Sequence, residues 1–194
     1  MTFKVHSFDD APAESKSALR KIQDQRGFLP NLFAVMCDSP AVINAYAHLE
    51  TCMGKTDLTD KERDIVYLTV SFKNDSKYCI TAHTNDAEAH KLTQKEIEAF
   101  KTGKPLRDAK LEAVRQYTLG VMENQGRPSD HAIECFLKEG YTPKHALEIV
   151  LGITLKTLTN YTARLAHPAI DFSLGNIGKE TLGTLVYKRK SEAS

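Results

Sequence analysis

The sequence is short of long apolar runs, of net charge and of clustered cysteine, and each shortage closes off a class of function. Nothing from Met1 to Asp10 has the apolar length of a signal peptide, and no later run approaches the ~20 residues of a membrane span. The expected compartment is therefore the cytoplasm. With 26 Lys+Arg against 25 Asp+Glu, and no basic stripe interleaved with aromatics, electrostatic capture of nucleic acid is not expected. The expected partner is a small molecule or another protein. Four cysteines, Cys37, Cys52, Cys79 and Cys135, lack the dense spacing of a disulfide framework, as in a reducing compartment where thiols stay free. Cys37, Cys52 and Cys135 are expected to be small buried hydrophobes.

Sustained period-two alternation of β-branched residues is also missing, while helix starts and stops recur along all 194 residues. The fold class expected is all-α, in one domain. A first helix is predicted over Pro12 to Arg26, ended by Gly27, and a short one around Leu32 to Met36. Ser39-Pro40 opens a third, with Val42, Ile43, Tyr46, Leu49 and Met53 on one stripe up to Gly54. Thr59-x-x-Glu62 and Thr93-x-x-Glu96 read as capping boxes, the first leading into Ile65, Leu68, Thr69 and Phe72. Leu111, Val114, Thr118 and Val121 mark another amphipathic helix, and Ser129 caps one that runs up to Gly140. Thr142-Pro143 opens the last, in which Leu147, Leu151, Thr154, Leu158, Tyr161 and Leu165 are expected to face the core until Pro168. An offset of 83 positions lays Thr59 on Thr142 and Leu68 on Leu151; a duplicated helical unit and chance matching of two amphipathic helices explain it equally. After Phe172 the chain reads as a Gly-punctuated tail ending in Lys188-Arg189-Lys190.

Cys79 and His83 lie four residues apart, on one face of a helix. A thiol of ordinary pKa, ~8.5, is mostly protonated at neutral pH, and an adjacent imidazole can move it toward thiolate. A carboxylate that orients the imidazole would complete a nucleophile, base and orienter, and Asp64 is the best candidate in the sequence. Ser76 stands three residues before Cys79, where a dithiol redox motif would have its other cysteine. His83, Asp86 and His90 also share a helical face, a spacing that could hold a metal, although no second ligand cluster accompanies them.

The layout Leu58-Thr59-x-x-Glu62-Arg63-Asp64, Val70-Ser71, and Asn74-x-Ser76-x-Tyr78-Cys79-x-x-x-His83-Thr84 resembles the alkylhydroperoxidase D (AhpD) and carboxymuconolactone decarboxylase superfamily. Gly27-Phe28-Leu29-Pro30-Asn31-Leu32-Phe33, Ser39-Pro40 and Thr159-Asn160-Tyr161 are similar to its peroxidase-related subgroup. The resemblance puts Asp64 on the family's glutamate, Ser76 on the first motif cysteine, Cys79 on the second and His83 on the relay histidine. It implies an AhpD-like domain over 1–172 followed by a tail over 173–194. It further implies a homo-oligomer (dimer, trimer or hexamer) and a cysteine peroxidase without metal, haem or other cofactor. Hydroperoxide would be the substrate and a protein or small-molecule thiol the reductant. Ser76 departs from the pattern because it cannot form the motif disulfide, so an external thiol, or Cys37, Cys52 or Cys135, would have to resolve oxidised Cys79. A decarboxylase-like acid-base enzyme that needs no thiol, and a non-catalytic oligomeric stress or interaction protein, are the alternatives.

Overall fold

The computed structural model describes residues 1–171; the expected boundary at 172 and the tail beyond it lie outside the described residues. Those residues form nine α-helices and no strand. They are α1 (Lys16–Arg26), α2 (Asn31–Met36), α3 (Pro40–Met53), α4 (Asp60–Lys73), α5 (Lys77–Ala89), α6 (Gln94–Thr102), α7 (Ala109–Glu123), α8 (Asp130–Lys138) and α9 (Pro143–Ala166). A short 3-10 turn, Ala13–Ser15, precedes α1, so the first α-helix starts four residues after the expected Pro12. Gly27 ends it with φ 76°, a left-handed cap whose backbone N–H bonds to Gln23 O.

Both capping boxes form. Thr59 and Glu62 exchange hydrogen bonds at the start of α4, and Thr93 and Glu96 do the same at α6. Helix α4 is the axis of the fold. It packs on α5, α7 and α9 and buries nine residues, from Glu62 to Ser71, so its surroundings are apolar on most sides and any charge there needs a partner.

Helix α9 crosses α4 on a face that the apolar pattern did not select. Ile149, Gly152, Leu155, Lys156, Thr159, Asn160 and Ala163 are buried, whereas Leu147, Tyr161 and Leu165 are 72%, 60% and 62% exposed. Close packing supplies the reason. A Cβ on Gly152 would stand 2.9 Å from Val66 Cγ1, and Val66 is itself fully buried. The missing side chain of Gly152 lets α9 approach α4 this closely, and Leu147 and Leu165 are turned outward. The 83-residue offset does align the first residues of α4 and α9, Asp60 and Pro143. However, α9 runs unbroken for 24 residues where α4 stops at Lys73.

Candidate functional site

Three residues, Asn74–Ser76, turn the chain from α4 into α5, and Asp75 takes φ 49° to do so. Ser76 is the N-cap of α5, and Cys79 is the helix's third residue. The thiol thus sits in the first turn, where unpaired backbone N–H groups and the helix dipole favour negative charge. Cys79 is buried, as is His83 one turn later. Both line a cavity of about 40 Å³ with Arg26, Tyr46, Glu50 and Lys156, a space that holds roughly one or two water-sized groups.

The imidazole of His83 is held from both sides. Lys156 Nζ donates to Nε2, while Nδ1 faces Asp86 Oδ2 at 3.5 Å, and the ring lies against Tyr67 with centroids 5.0 Å apart. Asp86 is fixed in turn by Arg26, whose Nη1 reaches its two oxygens at 3.2 and 3.0 Å. This arrangement selects the neutral imidazole with its proton on Nδ1. Burial, and then the Lys156 charge, push the ring down to about 4, against the pull of Asp86. Burial pushes Asp86 up, but His83 and Arg26 outweigh it and hold the carboxyl well below its usual range. Lys156, 5% exposed, is pushed down by burial, opposed chiefly by the negative charge available at Cys79 and Glu50.

The carboxylate expected to orient His83 goes elsewhere. Asp64 Oδ2 accepts a 2.6 Å hydrogen bond from His90 Nδ1, and burial raises its carboxyl to about 6 against that bond. The geometry of the α4–α5 hairpin explains this. The α4 residue opposite His83 is Tyr67, and Asp64, one turn nearer the start of α4, meets α5 two turns beyond His83. The carboxylate beside His83 is Asp86, from the same helix at i+3. The conceivable metal face therefore separates into distinct partnerships, with His83 and Asp86 bound to each other and to Lys156 and Arg26, and His90 bound to Asp64. Among the described residues no group of His, Cys, Asp and Glu is arranged to hold a metal.

Ser76 is 1% exposed, and its Oγ has no hydrogen-bond partner among the described residues. It occupies the cap position without making the side-chain cap bond. Of the other cysteines only Cys37 is buried. Cys52 and Cys135 are partly exposed and contact histidines of their own, His48 Nε2 at 3.7 Å and His131 Nε2 at 3.7 Å. Both pairs are spaced i, i+4 and so were legible in the sequence.

Sequence reasoning missed Lys156, Arg26 and the role of Asp86. The signal for Lys156 was present: it is the one charged residue among Ile149, Gly152, Leu155, Thr159, Asn160 and Ala163 on the buried face of α9. Reading the leucine stripe as the inward face hid it.

The all-helical fold with a thiol at the start of a helix packed on the central one is the AhpD type. A peroxidase-related AhpD-core protein of Ralstonia eutropha JMP134 superposes with a TM-score of 0.78 at 19% identity, over 89% of this chain and 93% of that one. A peroxidase-related protein of Silicibacter sp. TM1040 does so with a TM-score of 0.74 at 18% identity, over 89% and 93%. The debrominase Bmp8, in complex with 2,3,4-tribromopyrrole, gives 0.73 at 15% identity, over 93% and 96%. Residues 34–104 match the model of the carboxymuconolactone decarboxylase family. The matched stretch includes Asp64, Ser76, Cys79, His83 and Asp86, but neither Arg26 nor Lys156. No curated protein matches the chain in sequence. Among the described residues no helix is long and apolar enough to cross a membrane.

Proposed function

We propose that the protein is a thiol-dependent hydroperoxide reductase of the AhpD-like type, with Cys79 as the sulfur that is oxidised. One observation carries the reading: a buried thiol in the first turn of α5 opens onto a cavity shared with a histidine and a lysine. Cys79 as thiolate attacks the terminal peroxide oxygen; the O–O bond breaks, and the products are a sulfenic acid and the alcohol or water. A cavity of about 40 Å³ suits hydrogen peroxide or the head of a small alkyl hydroperoxide, and a ring the size of a bromopyrrole would require it to open. Ser76 offers no second sulfur, so an external thiol condenses with the sulfenic acid, releasing water, and a second thiol frees Cys79.

His83 acts here as a neutral, fixed ring and Asp86 as its orienter. Asp64, assigned to that relay by resemblance, supports the α4–α5 hairpin through His90 instead. Free thiols at all four cysteines suit a reducing compartment such as the cytoplasm. A homo-oligomer is supported by the series Leu147, Leu151, Thr154, Leu158, Tyr161 and Leu165, of which Leu147, Thr154, Tyr161 and Leu165 face solvent while Leu151 and Leu158 also pack on the core. Its alternating steps of four and three residues form a heptad seam that fits the same seam on a second copy.

The test is to titrate the protein with hydrogen peroxide, trap sulfenic acid with a dimedone probe and map the label by mass spectrometry. Label on Cys79 is expected. Label on Cys52 or Cys135 with Cys79 still reduced would overturn the reading, and turnover of a lactone or keto acid that survives Cys79→Ala but not His83→Ala would replace it with acid-base chemistry.

A further inference from the structure

Lys156 is a buried amine that the motif surrounding Cys79 does not predict. It comes from α9, far outside the family segment, and burying such a side chain is costly unless its charge is used or matched. Helix α5 presents Cys79, His83 and Asp86; α3 presents Glu50 and Tyr46; α1 brings Arg26. From α4, the Tyr67 ring lies with its centroid 5.2 Å from Nζ. Arg26 is engaged by Asp86, so the counter-charges left for Lys156 are Glu50 and the sulfur of Cys79.

The contact with His83 has a second consequence. Lys156 occupies Nε2, the only ring nitrogen that could accept a proton while Nδ1 faces Asp86. Cys79 itself makes no hydrogen bond to His83, in contrast to the sulfur–nitrogen contacts at Cys52 and Cys135. A base whose lone pair is already taken does not deprotonate the thiol.

Resting on the reading of Cys79 as a peroxide-reactive thiol, we propose that Lys156 is the acid-base partner of Cys79, and that His83 positions the lysine amine instead of serving as the base. The proton balance closes without further groups. The neutral amine takes the Cys79 proton, giving thiolate and ammonium. The thiolate attacks the hydroperoxide and the O–O bond breaks. The departing alkoxide or hydroxide then takes the proton back from the ammonium, leaving sulfenic acid, alcohol or water, and a neutral amine.

The experiment measures the rate of Cys79 alkylation by iodoacetamide against pH, resolved at the Cys79 peptide by mass spectrometry, in the wild type, Lys156→Met, Lys156→Arg and His83→Gln. Methionine fills similar volume without charge, so folding is expected to survive, and circular dichroism and thermal melting check it. In Lys156→Met the half-maximal pH should move up by about one unit or more, with at least about tenfold slower alkylation at pH 7. Lys156→Arg, a fixed positive charge, should keep alkylation fast but lower peroxide consumption about tenfold, because guanidinium does not return the proton. A folded Lys156→Met protein with an unchanged alkylation profile would overturn the proposal, as would a larger shift in His83→Gln than in Lys156→Met. Alkylation needs no peroxide, so a wild type that consumes none fails the peroxidase reading separately from the lysine's role in ionising the thiol.

Discussion

The molecule contains three Cys–His pairs spaced one helical turn apart, and the two with direct contact are the ones least equipped for chemistry. Cys52 and Cys135 each touch a histidine at 3.7 Å, but both stand partly in solvent on the outer sides of α3 and α8. Water screens such a pair and competes for both partners. Cys79 and His83 share no hydrogen bond, yet both are buried and border one cavity with a lysine, and Cys79 belongs to the first turn of α5, the positive end of the helix dipole. The separation in sequence is four residues in all three cases, with the histidine first at Cys52 and Cys135 and second at Cys79. The three sites differ in burial and in what stands opposite, and a charge acts far more strongly where water is excluded.

The largest effect is expected when the sulfurs are removed in turn. Cys79→Ser should lower peroxide consumption by at least about a hundredfold, while a Cys52→Ser/Cys135→Ser double variant keeps it within about twofold in a coupled thiol assay. The reverse result would move the active sulfur to the surface.

Next in size is the scaffold that the surface pairs lack. Asp86→Asn leaves the Arg26 guanidinium without its carboxylate and frees the His83 ring, at a cost of about 2 kcal/mol, or roughly 4–8 °C in Tm. Because the folded Asp86 carboxyl lies below its ordinary value of 3.8, its stabilisation is present above that pH and lost as the pH falls further. The difference in Tm between wild type and variant should therefore shrink in acid.

Ser76→Cys gives Cys79 a second sulfur that the surface pairs lack. The Ser76 Oγ makes no hydrogen bond among the described residues, so the exchange gives up none, and stability should change by less than about 1 kcal/mol. Turnover with a dithiol reductant should rise, checked by thiol counting after one equivalent of peroxide.

A smaller effect is expected at Asp64. Burial raises its folded carboxyl to about 6 from 3.8, so ionisation destabilises the native state above about pH 6, and that penalty fades as the pH falls from 6 toward 3.8. Asp64→Asn should raise Tm at pH 8 more than at pH 4, and change peroxide consumption by less than about threefold. A collapse of activity would return Asp64 to the relay. Smallest of all, Cys52→Ala and Cys135→Ala should each stay within about 0.5 kcal/mol of wild type by chemical denaturation.

Most of the helix ends were legible because they are set locally. Thr59 and Glu62, Thr93 and Glu96, Ser129 and Gly27 act on backbone groups within four residues, so the sequence states the whole interaction. Cys79 and His83 were legible for the same reason, being neighbours on one helix. Asp64 was paired with His83 in the sequence and bonds His90 in the structure, because its partner depends on how far α4 slides along α5, and a shift of two turns exchanges His83 for His90. The leucine stripe of α9 misled because apolarity says only that a face is covered, not whether its own fold or a second copy covers it.

By itself, the sequence determined an all-helical chain whose elements start and stop at named caps, with a thiol and an imidazole on one turn of α5. Only the tertiary structure decided that Gly152 lets α9 settle against Val66 and carries Lys156 to His83, and that Arg26 reaches Asp86 from α1. Local rules follow from covalent neighbours, whereas the charge state of a buried site is fixed by groups far apart in the chain that packing brings within a few ångströms.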